Sequence, residues 1–521
     1  MKSIWLALGA CAAFCLGSMQ PCRAAMAAPS TNVAWLPAAT DADIERAFSQ
    51  ARAEKKPLLL YWGATWCPPC NQLKATLFNR QDFAAQAKAF VAVHVDGDRP
   101  GAQKLGQRFK VSGYPTVVLF NADGGEITRL PGEVDAEQVM AVLRLGLAGG
   151  RPIKAVLADA RAAKPLLANE WRLLAFYSWE TGEQQLVAKT ELPALLTQLA
   201  VASPVADVET TTRLWLKALA ASDDGKGVKP DAALRQRVQR VLADRAQSRT
   251  HMDVLTNSAA EIVRALSDED SAERAPLVTA FDESLKRLQA DTTLSRGDQL
   301  GALYARIELA RLGQPKSAVQ VLLPAPLLED VRATVARLDR EMNAGYERQA
   351  VISSAASTLA LAGLWAESDA LLKANLAKSP SPYYLMVQLG SNARKLGKNE
   401  EALRWYEQSF AKSVGPATRL QWGAGYVGVL VDLAPQATAR IEKTAAQLLA
   451  EAAQDAGAFD GRSLRSLQRM SGKLVSWNAG GKQAATLQRL QAQLGPLCAK
   501  ADVAQGRQAA CRALLKPPAA T

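Results

Sequence analysis

Histidine is nearly absent. Two residues, His94 and His251, are all that the 521 positions hold. A His-rich metal centre is therefore excluded, and a Ser-His or Cys-His catalyst would have to use one of these two. Long apolar runs are also missing. The stretch from Ile4 to Leu16 has 13 residues, short of the roughly 20 that a membrane-crossing helix needs, and no other stretch is long enough. No run of five or more like charges occurs, and basic residues do not alternate with aromatic ones, so a nucleic-acid surface is disfavoured. What the chain does contain is 49% apolar against 21% charged residues, the balance of a globular protein. At roughly 150 residues per domain, the length allows about three domains' worth of core.

The amino terminus reads as a secretory signal over residues 1–27. Lys2 precedes the apolar stretch, Gln20-Pro21 breaks it, and small residues surround Ala25-Met26-Ala27. A positive start, a short apolar core and an A-x-A end have this meaning. An uncleaved anchor is the alternative, and the short run disfavours it. Export would make the protein periplasmic or secreted, with no stable membrane span after cleavage. Cys11, Cys15 and Cys22 leave with the signal. Cys67, Cys70, Cys498 and Cys511 remain, an even number in a compartment where disulfides persist.

Charge is unevenly placed. The chain carries +12, and loss of Lys2 and Arg23 leaves +10. Residues 28–150 account for only +1, so the excess lies beyond them. There, Arg235-Gln236-Arg237 and Arg462 to Arg469 read as solvated helix faces with basic residues dispersed among acids. A weak preference for acidic partners is compatible with this excess.

Residues 28–150 alternate in texture. Thr40 or Asp41 caps a helix to about Lys55, with Ile44, Ala47, Phe48 and Ala51 on one face. Pro57 to Trp62 and Phe90 to Val95 are continuous apolar runs of strand length, as in strands covered on both faces. Helical stretches follow Cys67 and Pro100. Thr116 to Phe120 and Glu126 to Leu130 flank Asn121-Ala122-Asp123-Gly124-Gly125, a hairpin turn. Asp135 caps a last helix, Ala136 to Leu147. The order predicts a central sheet with helices on both faces. Gly149-Gly150-Arg151-Pro152 marks a boundary, and strand patterns vanish beyond it.

Residues 151–345 read as a helical region and 346–521 as helical repeats ending in a hairpin. Gly363 and Gly397 are 34 residues apart, and Ala377-Lys378-Ser379 recurs at the same offset as Ala411-Lys412-Ser413. Leu389 to Gly397 followed by Glu401 to Tyr406 resembles the tetratricopeptide repeat, whose period is about 34. Gly313 followed by Ala318 reads as a degenerate earlier copy. Paired helices of this kind stack into a superhelix with a concave groove. Protein or peptide binding and a structural spacer are the two roles open to it.

The sharpest motif is Trp66-Cys67-Pro68-Pro69-Cys70, placed between a buried strand and a helix. A thiolate rather than a thiol attacks a disulfide. A cysteine at a helix amino terminus meets free N–H groups and the positive end of the dipole, which favour the thiolate. Cys70, one turn on, is within disulfide reach of Cys67. Pro68 and Pro69 restrict the first turn, where missing N–H groups cost little.

These residues, with Gly113-Tyr114-Pro115-Thr116 ahead of the hairpin, resemble the thioredoxin superfamily over residues 38–150. The resemblance implies an α/β thioredoxin-like domain, which the all-α, tetratricopeptide-like region read above then follows. It further implies that Pro115 is cis and faces the Cys67–Cys70 pair. Tyr114 and Pro115, with Trp66, would then border the substrate, the backbone of Tyr114 pairing with an extended strand. Cys67 and Cys70 would be the catalytic dithiol of a thiol–disulfide oxidoreductase, acting as reductase, oxidant or isomerase, with no cofactor beyond their own disulfide and no metal. Its partners would be disulfide-bearing protein clients and a thiol donor of unknown identity. The carboxylate often found beneath the site is matched here by Tyr61, and the accompanying lysine by Ala92. Tyr61, water or Asp96 would have to serve as proton acceptor for Cys70.

A purely structural Cys67–Cys70 bridge closes too short a loop to contribute much, and a zinc half-site lacks a second pair nearby. Cys498 and Cys511, in a hairpin closed by Gly495-Pro496, read as a structural disulfide. The alternative for the whole chain is a periplasmic helical-repeat scaffold whose thioredoxin-like part has become an interaction module.

Overall fold

The computed structural model describes residues 33–130, 135–179, 186–222, 227–343, 345–500 and 506–516. The signal reading of residues 1–27 lies outside them. Five strands form one mixed sheet in the order β1-β3-β2-β4-β5. These are β1 (Leu36–Ala38), β2 (Leu58–Gly63), β3 (Val91–Asp96), β4 (Thr116–Phe120) and β5 (Glu126–Leu130). β1, β3 and β2 run parallel, and β4 and β5 are antiparallel additions. The interleaved helices are α1 (Asp41–Glu54), α2 (Pro68–Leu73), α3 (Gln81–Gln86), α4 (Ala102–Arg108) and α5 (Ala136–Leu147).

Strand geometry sorts the apolar runs. Leu58, Leu60 and Trp62 point to one face of the sheet, where α1 and α4 bring Ile44, Phe48 and Leu105. Leu59 and Tyr61 point to the other, where α5 brings Val139 and Leu143. A period of two on a sheet covered on both sides makes both registers apolar. Thr40 caps α1 reciprocally with Asp43. Two elements escape the sequence pattern. β1 is three residues long and contains Pro37, too short to alternate. α3 follows a π-helical turn, Lys74–Phe78, that breaks the helical period.

After α5 the described chain holds helices and no strand. The change of element type at Gly149-Gly150 does not interrupt the core. Ile127, Leu119 and Leu143 of the sheet domain pack in one cluster with Ile153, Trp171 and Phe176. Ser178 N–H donates to the carbonyl of Arg129 at 2.8 Å, and the Tyr177 hydroxyl to Glu126 at 2.9 Å.

The 34-residue recurrence corresponds to two successive helix pairs. Gly363 separates Gly345–Leu361 from Trp365–Asn375, and Gly397 separates Pro382–Lys395 from Asn399–Lys412. Their φ values are 78° and 72°, a backbone region in which glycine alone is unstrained. Gly313 also has positive φ, but no helix begins at Ala318. Residues 314–324 form turns and extended chain until the helix Ala325–Glu341. Gln314 braces this stretch by bonding both backbone groups of Leu322. A second correction concerns Gly495-Pro496, which lies inside the helix Ala484–Lys500 and closes no hairpin. Leu490, Leu494 and Cys498 share one apolar core, and that packing carries the helix through the proline. No helix of the described residues is long and apolar enough to cross a membrane.

Candidate active site

β2 delivers the chain into the site. Its strand ends at Gly63, and Ala64, Thr65 and Trp66 lead to Cys67, which occupies the N-cap of α2. Cys67 Sγ accepts the backbone N–H of Cys70 at 3.2 Å. That bond is the usual duty of a capping side chain, here performed by sulfur. Pro68 and Pro69 fill the first two helical positions, where no N–H is required. Cys67 and Cys70 are joined as a disulfide with Cα atoms 5.2 Å apart. The Tyr114–Pro115 peptide bond is cis. Cys498 and Cys511 form the second disulfide, buried in the carboxy-terminal core.

Tyr114 is held from two sides. Its ring stacks on Trp62 at 6.3 Å, and its oxygen accepts from Gln103 Nε2 at 2.9 Å. Gly97 makes this approach possible, since a Cβ there would lie 2.4 Å from the Tyr114 hydroxyl. Beneath the site, Tyr61 is 2% exposed and its hydroxyl has no hydrogen-bond partner. Burial, with the charge of Asp96 adding to it, raises the Tyr61 phenol above its ordinary range. The phenol therefore stays protonated and is no substitute base for Cys70. Its ring stacks on His94 at 4.9 Å. Burial, then the charges of Lys74 and Arg99, lower His94 to about 4. His94 is a neutral packing residue of β3.

The helical region closes over this site. Cys67 is only 2% exposed. Trp66 stacks on Tyr384 at 5.7 Å and meets Trp422 edge-on at 6.0 Å. Trp66 Nε1 donates to Asp98 Oδ2 at 2.6 Å. Asp98 also accepts from Thr418 N–H at 2.9 Å and from Thr418 Oγ1 at 2.6 Å, and it pairs with Arg462 at 3.2 Å. Sequence reasoning finds none of Asp98, Tyr384 and Trp422 as site residues, and it reads Arg462 as part of a solvated helix face. No local pattern marks them, because each acquires its meaning from a partner hundreds of positions away.

Two cavities flank the Pro68-Pro69 ridge and share Tyr384 as a wall. The first, about 210 Å³, contains Cys67 with Trp66, Gly113, Tyr114, Arg462 and Arg465. The second, about 260 Å³, is lined by Gln72, Ser353, Ser357 and Gln388 among others. Approach to Cys67 thus runs through a slot between the sheet domain and the helices. Among the described residues no group of three or more His, Cys, Asp or Glu is placed to hold a metal ion.

The family described as thioredoxin-like domain matches residues 44–146, so the chain carries a thioredoxin-like domain at its amino-terminal end. Curated relatives are named thiol:disulfide interchange protein DsbD. The DsbD 2 protein of Pseudomonas aeruginosa is 30% identical over 123 residues, 23% of this chain and 21% of that one. The DsbD of Vibrio vulnificus is 33% identical over 98 residues, 18% of this chain and 16% of that one. The chain therefore spans about a fifth of the length of these relatives. Among solved structures, a protein named DsbH oxidoreductase is 22% identical, covering 25% of this chain and 92% of its own, with a TM-score of 0.19.

Proposed function

We propose that this chain is an exported thiol–disulfide oxidoreductase whose helical region controls which disulfides reach Cys67. The observation that carries the reading is the capping geometry. Cys67 Sγ accepts the Cys70 N–H at the start of α2, with Cys70 as its disulfide partner. An N–H aimed at sulfur favours the thiolate over the thiol. In the reduced protein, the Cys67 thiolate attacks one sulfur of a substrate disulfide. The substrate S–S bond breaks, a Cys67–substrate disulfide forms, and the released substrate thiolate takes up a proton. The Cys70 thiolate then attacks Cys67 Sγ, freeing the second substrate thiolate and closing Cys67–Cys70. Two electrons pass to the substrate, and an external dithiol donor must return them. The same steps reversed oxidise a client. The direction follows from the reduction potential, which runs from about −270 to about −120 mV among comparable dithiols.

Trp66, Tyr114 and Pro115 border the path to the sulfur in this reading, and Pro68 and Pro69 hold the turn. Export rests on the signal-like residues 1–27, and recruitment of partners by the repeats on the stacked helix pairs. The burial of Cys67 favours a second reading, a helical scaffold with a thioredoxin-like interaction module. One experiment separates them. A Cys70→Ser chain, reduced and mixed with an exported extract, should accumulate adducts through Cys67 that dithiothreitol releases. An extract that yields no such adducts, while the Cys67 thiol still reacts with a small alkylating agent, would favour the scaffold.

A further inference from the structure

The space beside Cys67 does not end at the Pro68-Pro69 ridge. The cavity across the ridge shares Pro68, Pro69 and Tyr384 with the one that holds Cys67. A third cavity, about 290 Å³, shares Tyr304, Ser357 and Gln388 with the second. The three spaces adjoin in a row that begins at Cys67.

The row follows the leading helices of the two recurring pairs. On Pro382–Lys395, Tyr384, Gln388, Ser391 and Lys395 stand at spacings of four, three and four, which is one helix face. They line the first, second and third cavities in that order, with Tyr384 and Gln388 each serving two. On Gly345–Leu361, Ser353, Ser357 and Ala360 run the same course from the second cavity to the third. From Tyr384 to Lys395 the helix rises about 16 Å, the reach of about five residues of extended chain.

The middle of the row is polar and nearly free of charge. Gln388 Nε2 donates to the Ser353 carbonyl at 3.1 Å and to Ser357 Oγ at 2.8 Å, which holds the amide against the neighbouring helix. The one carboxyl among the described residues of the second cavity is Asp298. It accepts from Gln72 at 3.1 Å and from Ser295 at 2.6 Å, and burial shifts it toward its neutral form. Basic side chains stand at the two ends instead, Arg462 in the first cavity and Lys316 and Lys395 in the third. Uncharged amides and hydroxyls suit a main chain, which offers an N–H and a C=O at nearly every residue whatever its sequence. The second cavity is open at Gly301, where an added Cβ would meet nothing within 4 Å. Each space is smaller than the roughly 300–1,000 Å³ of a drug-sized site, and Cys67 is 2% exposed. A single strand of chain can follow such a row, and a folded surface cannot.

We infer that this row holds an extended, unfolded polypeptide segment and leads its disulfide-bonded cysteine to Cys67, the segment lying to one side of that cysteine in sequence. This rests on the oxidoreductase reading and names the substrate class of the same site. The chemistry is unchanged. The Cys67–Cys70 dithiol gives two electrons and two protons to the substrate disulfide, which leaves as two thiols while Cys67–Cys70 closes.

Two measurements on the full chain test it. In the first, the dithiol form reduces three mixed disulfides of mercaptoethanol. One carries a cysteine with blocked ends, one adds about six Gly, Ser and Ala residues before the cysteine, and one adds them after it. One long peptide should react about tenfold faster than the blocked cysteine, and the other should gain little. Gly301→Phe puts a ring into the second cavity, and a helix interior tolerates the change because glycine is the poorer helix former. It should cut the advantage of the long peptide to about twofold. Gln388→Ala, which only removes atoms, should cut it about threefold, and carries the test if Gly301→Phe does not fold. Equal rates for the three peptides, or an advantage that these variants leave intact, would overturn the inference. The second measurement follows the anisotropy of both long peptides, labelled with fluorescein and with serine in place of cysteine. One should bind, and Gly301→Phe should raise its Kd about tenfold. Absence of binding, or a Kd that neither variant changes, counts against the inference. If no peptide is reduced at all, the oxidoreductase reading fails, and the anisotropy still decides whether the row takes an extended chain.

Discussion

Tyr61, buried, and His94, half-buried, stack on one another, and burial shifts each toward its uncharged form. His251, the other histidine, is 1% exposed, and burial likewise lowers it to about 4. Each histidine has a folded value below its ordinary 6.5. The unfolded chain therefore binds more protons than the folded one between about pH 6.5 and pH 4, and stability falls as the pH is lowered through that window. The contribution is fully present above about 6.5 and gone below about 4. Urea midpoints taken across this range should decline, and His94→Gln should flatten the decline. An unchanged slope in that variant would mean that His94 is protonated in the folded protein. At this scale the motif was legible. Cys67, Cys70 and the prolines interact over three residues, so their chemistry is written in their spacing. Asp98 was not, since its partners Thr418 and Arg462 lie 320 and 364 positions away.

Helix ends explain how the two halves hold one another. The helix Pro416–Leu433 begins at Gly415, which has no side chain to cap it. Asp98, from the loop after β3, accepts the N–H of Thr418 instead. In return, Asp455 of the helical region accepts the N–H of Gly101, the bare N-cap of α4, at 2.8 Å. Gln103 of α4 accepts the N–H of Arg462, in the first turn of Gly461–Trp477, at 2.9 Å. Each orphan N–H at a helix start needs an acceptor, and here the acceptor comes from the other part of the chain. Asp98→Ala removes a cap and also leaves Arg462 without its paired acid. Such a loss should cost about 2–4 kcal/mol, measured by urea unfolding. A change under about 0.5 kcal/mol would mean that water replaces the carboxylate without penalty. The elements themselves were readable from periodicity, and β2, β3, β4, β5, α1 and α5 fall within a residue or two of their expected bounds. The unread ones, β1 and the π-helical turn, lack a period to read.

On the scale of the molecule, composition divides the chain near residue 150 while packing does not. The face of the sheet that carries Leu119 and Ile127, with Leu143 of α5 upon it, packs in one cluster with Ile153, Trp171 and Phe176. A fragment of residues 28–150 would expose that face, and each large apolar side chain uncovered forfeits about 1.5–3 kcal/mol. Such a fragment should be less stable to urea, and less soluble, than one of residues 28–222. Equal stability of the two would show that the first helices add nothing to the sheet domain. Access is governed by later helices, because Pro382–Lys395 and Gly461–Trp477 bring Tyr384, Arg462 and Arg465 to the cavity beside Cys67.

The sequence by itself determined the chemistry and the element types. A dithiol on a helix start, a proline loop ahead of a hairpin, alternating texture followed by helical texture and a 34-residue recurrence are all local or periodic, and local patterns survive without coordinates. Only the tertiary structure decided what surrounds the sulfur. It brought Arg462 and Arg465 of an apparently solvated run to the cavity beside Cys67, placed Tyr384 and Trp422 on Trp66, and joined Asp98 to two distant helices. Contacts of that separation arise from how helices stack and where loops meet, and no short-range periodicity encodes them.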